Sequence, residues 1–297
     1  MRAAPSPIFL PGTAGEHRRA GRVPFAMRWP PEGPLLLEMR RRICCIIPCY
    51  NVGALCAPVI RECAGHVGRI IVVDDGSTDD TPRFLRDTQA EFPDRVHVLT
   101  LAGNQGKGVA LVRGFRHALR QTDCDVILTI DGDGQHRPGD IPRIARPCLK
   151  GRADFVIAQR QFPRSTPARS RVGNNLSTAI LSAAYRHTPR DTQCGLRAHT
   201  RQYVRDVLEV VEGNRYETEA RIIMLALRWG RRIGQVPIPA IYHGRNESSH
   251  YRPLMDSLRI LGAFFTTVML PELGVPVWWR KEGGRGDSKT RGRGEGA

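Results

Sequence analysis

Short apolar runs alternate with longer amphipathic segments through the middle of the chain. Each run is four to six residues long and is followed closely by Pro, Gly or polar residues, which is typical of strands buried on both faces of a parallel sheet. The alternation predicts an α/β domain whose mostly parallel central sheet is covered by helices. The predicted strands are 43–47, 70–73, 96–101, 125–130 and 154–158, and the predicted helices are 53–65, a segment beginning at Asp79, 106–121 and 138–150.

Both ends of the chain lack this pattern. The first 41 residues are rich in Pro, Gly, Ala and Arg, and the last 17 are rich in Gly, Arg and Lys. We expect the first stretch to be disordered, or to precede a true translation start at Met27 or Met39, and the last to be disordered. The predicted division is a leader over 1–41, one α/β domain over 42–252, an amphipathic helical region over 253–280 and a basic tail over 281–297.

The chain carries a net charge of +16, which bears on its partners. Between Arg137 and Arg205 there are 14 basic residues and only three acidic ones. A surface of this kind attracts phosphate groups on nucleotides, nucleic acids or anionic lipids. The alternative is that the sequence is rich in arginine for compositional reasons, without any anionic ligand being bound. No basic recognition helix, RNA-binding aromatic signature or zinc-finger spacing is present, so we expect no nucleic-acid partner.

The eight cysteines and the apolar content indicate where the protein acts. Five cysteines lie between Cys44 and Cys63, without the paired C-x₂-C spacing of a zinc site. We expect all eight to be buried structural thiols in a reducing compartment. No secretory signal and no run of about 20 apolar residues is visible. The predicted location is the cytoplasm, with peripheral contact to the inner face of the membrane.

Polar clusters follow the first four predicted strands, at the point where each strand ends. They are 48–51, 74–79, 104–108 and 131–136. Because the carboxyl ends of parallel strands lie at one edge of a sheet, we expect the four clusters to converge on one crevice. Each cluster alone has an ordinary explanation as a turn, a helix cap or a solvated loop. Their occurrence together, in order, favours a binding site.

The fourth cluster has the chemistry of a cation site. Asp131 and Asp133 flank Gly132 at a strand end, so their carboxylates can approach one hard divalent cation, and Gln135 can add a third oxygen. Mg²⁺ or Mn²⁺ takes such ligands together with diphosphate oxygens. The cation would neutralise the charge that develops on a departing nucleoside diphosphate.

Further segments extend the pattern, namely Ala158-Gln-Arg160, Asp191-Thr-Gln-Cys-Gly-Leu-Arg197, Tyr216-Glu-Thr-Glu219 and Val236-Pro-Ile within a strand over 233–238. Together with the four clusters they resemble the family-2 glycosyltransferases. Within that family the likeness is to the polyprenyl-phosphate branch, the dolichyl-phosphate mannose and glucose synthases. It covers about 43–260 and implies the GT-A fold, a Rossmann-like three-layer α/β sandwich of nucleotide-diphospho-sugar transferases.

The resemblance also implies roles for individual residues. Asp131 would face the ribose or the metal, while Asp133 and Gln135 would bind the metal and the diphosphate. Arg160 would meet phosphate charge near the reacting centre. Lys107 would face phosphate, or be a solvated lysine at a helix start. The implied nucleoside pocket comprises Pro48, Tyr50, Asn51 and Asp75.

One local departure concerns the residue before Arg160. Gln159 stands where the family commonly has Gly-Ser or Gly-Thr, so the local turn is expected to differ. The following stretch, 162–171, is a Pro-broken polar loop with three arginines that could close over a phosphorylated acceptor.

The acceptor decides whether a catalytic base is needed. A lipid phosphate is already an anion near neutral pH, so arginines that orient it matter more than a base. A saccharide hydroxyl would instead have to lose a proton to a carboxylate. The candidates for that base are Asp191, Glu217 and Glu219. Glu219 is equally consistent with an acid on a helix surface, and Glu217 fits that description better than the role of a base.

We therefore expect an inverting glycosyltransferase that moves a hexose from a UDP- or GDP-sugar to a polyprenyl phosphate, with inversion implied by the resemblance. A soluble enzyme acting on a saccharide hydroxyl is the nearer alternative, and a non-catalytic membrane- or polyanion-binding protein is the further one. The stretch 254–270, followed by Trp278 and Trp279, suits an amphipathic helix at a membrane surface or a helix packed on the domain. No motif fixes the sugar, the base of the nucleotide or the oligomeric state.

Overall fold

The computed structural model describes residues 34–161, 188–213 and 217–241, and the single residues Thr178, Ser182 and Gly262. The predicted arginine-rich loop, the predicted C-terminal helical region and the basic tail lie outside these residues, as does Tyr216. Among the described residues, no helix combines the length and apolarity needed to cross a membrane.

Seven strands of the described residues form one sheet in the order β3-β2-β1-β4-β6-β5-β7. β6 runs antiparallel to both of its neighbours, and every other adjacent pair is parallel. The sheet is therefore mostly parallel, as the alternation predicted. Its strands are β1 (Ile43–Cys49), β2 (Arg69–Asp74), β3 (Val96–Thr100), β4 (Val126–Thr129), β5 (Phe155–Gln161), β6 (Arg197–Thr200) and β7 (Ile233–Pro239).

Helices connect the strands and cover the sheet. Short 3₁₀ turns at Gly53–Leu55 and Pro138–Asp140 begin two of the predicted helical segments, so the α-helices there are shorter than predicted. Within the described residues the helices are α1 (Pro34–Arg41), α2 (Cys56–Ala64), α3 (Thr81–Glu91), α4 (Lys107–Gln121), α5 (Ile141–Leu149), α6 (Arg201–Val210) and α7 (Glu217–Arg228).

The close packing of α4 on the sheet explains a glycine in the middle of that helix. A Cβ atom on Gly114 would lie 2.6 Å from Cγ2 of Ile46 in β1 and 3.3 Å from Cγ2 of Val73 in β2. Glycine costs helix stability, but here it lets the helix backbone approach two central strands. This contact sets the distance of α4 from the sheet, and therefore the position of Lys107 at the beginning of the helix.

Two further features differ from the predicted pattern. α1 lies inside the N-terminal stretch in which the sequence shows no apolar period. Pro48 does not end β1, which continues to Cys49 and pairs Pro48 with Val73. The backbone N and C=O groups of successive β1 residues point alternately to β2 and to β4, and those of Pro48 point to β4. Pairing with β4 has already ended at Ile46, so the missing N–H leaves no broken bond in the ladder.

The eight cysteines are all buried and none forms a disulfide. They lie in strands, helices and tight loops of the core, where their small apolar side chains pack against branched residues. The structure thus confirms that all eight are buried thiols.

Stability should depend on pH through His199. This side chain is buried beside the rings of Phe115, Phe155 and Tyr203. Burial, helped by the charge of Arg197, lowers the pKa of His199 to about 3. An unfolded histidine takes up a proton near pH 6.5, so stability is complete above that pH and falls as the pH drops towards 3. At pH 5 this group alone should cost about 2 kcal/mol.

Urea unfolding of wild type and of His199→Gln at pH 7.5 and pH 5 measures this effect. The variant should be less stable at pH 7.5, and it should lose less stability than wild type between the two pH values. An equal loss in both proteins would show that His199 does not take up the proton.

Candidate active site

Hydrogen bonds join the first three polar clusters at the carboxyl edge of the sheet. The backbone N–H of Asn51 donates to Oγ of Ser77 at 3.0 Å, and Oδ1 of Asn51 accepts from the N–H of Thr78 at 2.8 Å. The carboxylate of Asp75 accepts from the N–H groups of Gln105 and Gly106, both at 2.8 Å. The predicted convergence of these loops is therefore present in the structure.

Backbone conformation shapes the same edge. Asn51 has φ of 49°, and among the described residues it is the one non-glycine residue in the left-handed region. Asparagine tolerates this conformation better than most residues do. Gly76 also has positive φ, and a Cβ there would clash with the backbone of Gly103. The loops after β2 and β3 can approach each other this closely because Gly76 lacks a side chain.

Asp131 lies at the centre of the fourth cluster, directly after β4. Its Oδ1 atom is 2.7 Å from Nζ of Lys107, and its Oδ2 atom is 3.7 Å from Nε2 of the buried His136. A Cβ on Gly195 would lie 2.6 Å from Cγ of Asp131, so only glycine fits beside this carboxylate. Oγ1 of Thr129 donates to the carbonyl of Gly195 at 2.9 Å and holds the glycine in place.

Lys107 also contacts a second carboxylate. Its Nζ atom is 3.0 Å from Oε2 of Glu219 at the beginning of α7. The other oxygen of Glu219 is 3.5 Å from Nη2 of Arg197, which is 2% exposed. Three of the predicted site residues, Lys107, Asp131 and Glu219, thus come together, joined by an arginine for which no role was predicted.

The charges of this cluster shift its pKa values in opposite directions. Burial acts to raise the pKa of Asp131, but the nearby Lys107 and His136 outweigh it and hold the pKa well below its usual range. Burial acts to lower the pKa of Lys107, but Asp131 and Glu219 raise it far above its usual value. Burial and then the charge of Asp131 raise the pKa of Asp133. Two carboxylates in this arrangement repel each other, and a bound cation would relieve the repulsion.

The side-chain oxygen atoms of the fourth cluster suit a hard cation that is also coordinated by a bound ligand. No group of three or more His, Cys, Asp or Glu side chains is gathered for metal binding in the described part of the chain. The donors present are the carboxylates of Asp131 and Asp133 and the side-chain amide oxygen of Gln135. The backbone N–H of Gln135 donates to Oδ1 of Asp133 at 3.0 Å. Such oxygens suit Mg²⁺ or Mn²⁺ with phosphate oxygens completing its shell.

Arg160 is partly buried and pairs with the buried Asp191 near the end of β5. Its Nε and Nη2 atoms donate to the two oxygens of Asp191 at 2.7 and 3.0 Å, and its backbone N–H donates to Oδ2 at 3.0 Å. Asp191 is only 1% exposed. The sequence placed these two residues in one site but did not predict that they bind each other.

Gly195 and Arg197 contact predicted site residues, although no role was predicted for either of them. Arg197 donates to the carbonyls of Thr192, Cys194 and Glu219 at 2.7 to 3.0 Å. Both residues lie in the Asp191–Arg197 segment that carries part of the resemblance. The segment itself was the only available signal, because its partners are more than 60 residues away at Thr129 and Asp131.

Comparison with known proteins identifies the chain. The sequence model of "Glycosyl transferase family 2" matches residues 44–210, more than half of the protein and all four polar clusters. The chain belongs to glycosyl transferase family 2. It is therefore an enzyme of the glycosyltransferase class, as the motifs predicted.

Two relatives carry the likeness along most of their own length. A UDP-N-acetylglucosamine–dolichyl-phosphate N-acetylglucosaminyltransferase of Methanococcus voltae is 30% identical over 217 residues, which cover 66% of this chain and 84% of that protein. An undecaprenyl-phosphate mannosyltransferase of Micrococcus luteus is 31% identical over 218 residues, covering 70% and 86%. This family-2 chain thus resembles enzymes named for polyprenyl-phosphate acceptors.

The fold has solved counterparts. Glucosyl-3-phosphoglycerate synthase of Mycobacterium tuberculosis, crystallised with Mn²⁺, UDP-glucose and phosphoglyceric acid, superposes with a TM-score of 0.59 at 22% identity. The match covers 84% of this chain and 87% of that one. It confirms the predicted GT-A fold.

Proposed function

We propose that this family-2 glycosyltransferase moves a hexose from a UDP- or GDP-sugar to a polyprenyl phosphate, with inversion at the anomeric carbon. Mg²⁺ or Mn²⁺ assists, and the enzyme works as a peripheral protein at the cytoplasmic face of the membrane. The relatives named for dolichyl and undecaprenyl phosphate support the acceptor class.

On the donor side, Asp131, Asp133 and Gln135 would hold the cation and, through it, the diphosphate. The cation neutralises charge on the departing nucleoside diphosphate. The neighbouring loops would bind the nucleoside with Pro48, Tyr50, Asn51 and Asp75. The M. tuberculosis enzyme with the same fold is described with Mn²⁺ and UDP-glucose, which supports a donor site of this kind.

One observation carries the choice of acceptor. Asp191 and Glu219, two of the three acids considered as a base, already face cationic partners: Arg160 holds Asp191, and Lys107 and Arg197 flank Glu219. All four carboxylate oxygens are engaged by these cationic side chains, which leaves neither acid a free oxygen for an incoming hydroxyl. A polyprenyl phosphate avoids the difficulty because it is already an anion.

The reaction then needs orientation more than proton transfer. A phosphate oxygen of the acceptor attacks the anomeric carbon from the face opposite the leaving group, forming a new C–O bond. The bond to the diphosphate oxygen breaks, and its electron pair leaves with the nucleoside diphosphate. Arg160, near the end of β5, would orient phosphate groups at this edge, and its hydrogen bonds to Asp191 would hold the guanidinium in place.

Transfer to a saccharide hydroxyl remains the competing function because of Glu217. Oε2 of Glu217 is buried and has no hydrogen-bond partner among the described residues. A hydroxyl acceptor would need such a carboxylate as its general base. Membrane contact through 254–270 remains a proposal, since that stretch lies outside the described residues.

The acceptor class can be tested directly by following radiolabelled sugar. The purified enzyme is incubated with Mn²⁺, labelled UDP- or GDP-sugars, and either undecaprenyl phosphate or undecaprenol, which differ only in the phosphate. Label should enter the butanol phase when undecaprenyl phosphate is the acceptor, and it should remain in the aqueous phase when undecaprenol is supplied instead. The proposal would be contradicted if the enzyme labelled added saccharides and gave no butanol-soluble product. Loss of that labelling in Glu217→Gln would identify Glu217 as the base.

A further inference from the structure

Lys107 is placed unusually for a lysine. It is the first residue of α4, where the positive end of the helix dipole disfavours a cation. Its side chain is only 20% exposed, yet Nζ lies within 3.0 Å of carboxylates from two other elements, Asp131 after β4 and Glu219 in α7. A lysine at such a position requires acidic partners to offset both the dipole and the burial. Lys107 is therefore built into the site.

Glu219 also contacts Arg197, through the carboxylate oxygen that does not face Lys107. Its Oε1 atom is 3.5 Å from Nη2 of Arg197, and Nη1 of Arg197 donates to the backbone carbonyl of Glu219 at 2.9 Å. The chain of contacts runs from Arg197 through Glu219 and Lys107 to Asp131. It contains two cations and two anions, so the buried charges balance.

We propose that Lys107, Glu219 and Arg197 act as positioning residues that hold the carboxylate of Asp131 in the donor site. Lys107 is then a link inside the protein rather than a phosphate ligand, and Glu219 is an anchor for Lys107 rather than a general base. The inference rests on the proposed donor role of Asp131. It revises the phosphate-facing role that the resemblance implies for Lys107 and the role of candidate base considered for Glu219.

Arg197 also acts on Asp131 by a second route. Its bonds to the carbonyls of Thr192 and Cys194 fix the loop that carries Gly195, and Gly195 packs against the carboxylate of Asp131. Asp131 is thus confined between Lys107 on one flank and a rigid loop on the other. Both restraints converge on the same buried arginine.

A double-mutant cycle separates these roles. Lys107→Met, Glu219→Gln and the double variant are compared with the exposed controls Lys150→Met and Glu209→Gln. Melting temperatures are measured without ligand, and the binding of UDP and of GDP, each with Mn²⁺, is measured by calorimetry. Residues in one network give non-additive effects, while independent residues give additive ones.

We expect each single variant to melt at a lower temperature than its control. The double variant should lose less than the sum, because each single change leaves the network with a net charge, whereas the double change leaves one cation and one anion. Binding of the accepted nucleotide should weaken on the order of 10-fold or more in each single variant, with little further loss in the double. Lys107→Arg should restore part of the binding.

Other results would distinguish a failure of the network from a failure of the proposed function. Additive losses of binding, or a Glu219→Gln variant with unchanged nucleotide affinity and kcat lower by about 10²–10⁴-fold, would overturn the network in favour of a phosphate-binding lysine and a catalytic base. Wild-type protein that binds neither nucleotide would count against the proposed function. The melting temperatures would still decide whether the network exists.

Discussion

Asp133→Asn should lower kcat/KM by on the order of 10²–10³-fold, or more, without lowering the melting temperature. Asparagine keeps the acceptor atom for the N–H of Gln135 but removes the charge that would hold the cation. Folded-state repulsion between Asp131 and Asp133 disappears with that charge, so the variant should be as stable as wild type or slightly more stable. Initial rates over a range of Mn²⁺ concentrations, together with thermal unfolding, measure both effects.

Asp125→Asn is a matched control at the other end of β4. Asp125 precedes β4 at the opposite edge of the sheet, where it forms an exposed ion pair with Arg42. This variant should retain activity and its dependence on Mn²⁺. Full activity of Asp133→Asn with an unchanged Mn²⁺ dependence would refute the assignment of Asp133 to the cation.

Gly195→Ala should have the second large effect, although it adds a single methyl group outside the polar clusters. The new Cβ would lie 2.6 Å from Cγ of Asp131. The loop cannot retreat easily, because Thr129 and Arg197 hold it by hydrogen bonds. The carboxylate must therefore move, and a displacement of about 1 Å in a catalytic group costs on the order of 10²-fold in rate.

The control for this variant is Gly139→Ala. A Cβ on Gly139 would be 3.8 Å from its nearest neighbour, Glu62, which is an ordinary contact. Steady-state kinetics and nucleotide binding should be near wild type for Gly139→Ala and strongly impaired for Gly195→Ala. If Gly195→Ala bound the nucleotide and turned over normally, Asp131 could not depend on the close approach of Gly195.

The parallel half of the sheet was predictable because its signals are local. β1, β2 and β4 are continuous apolar runs, and a polar cluster follows each of them. β6 gave no comparable signal. It is four residues long, contains the buried Arg197 and His199, and pairs antiparallel with strands from earlier in the chain. Its place in the sheet depends on partners that no local pattern encodes.

The site shows the same division. The pair Asp131 and Asp133 was predictable from spacing, since two carboxylates at a strand end have a plain chemical meaning. The contacts of Lys107 were not, because they depend on how α4 and α7 pack against the sheet. A sequence can indicate which residue types gather at an edge. Which cation faces which anion there is decided by tertiary packing.

The pairing of β6 with β4 has a consequence for how the enzyme is made. Gly195 is 66 residues beyond Thr129, the strand residue that holds it, whereas the first four strands follow one another closely. Such distant contacts form late, and a chain on the ribosome folds from its N-terminus. A nascent chain that has exposed only β1 to β4 would have Asp131 and Lys107, but it would lack the Gly195 loop and Glu219, the second partner of Lys107. The enzyme therefore acquires a working donor site only after most of its length has been synthesised.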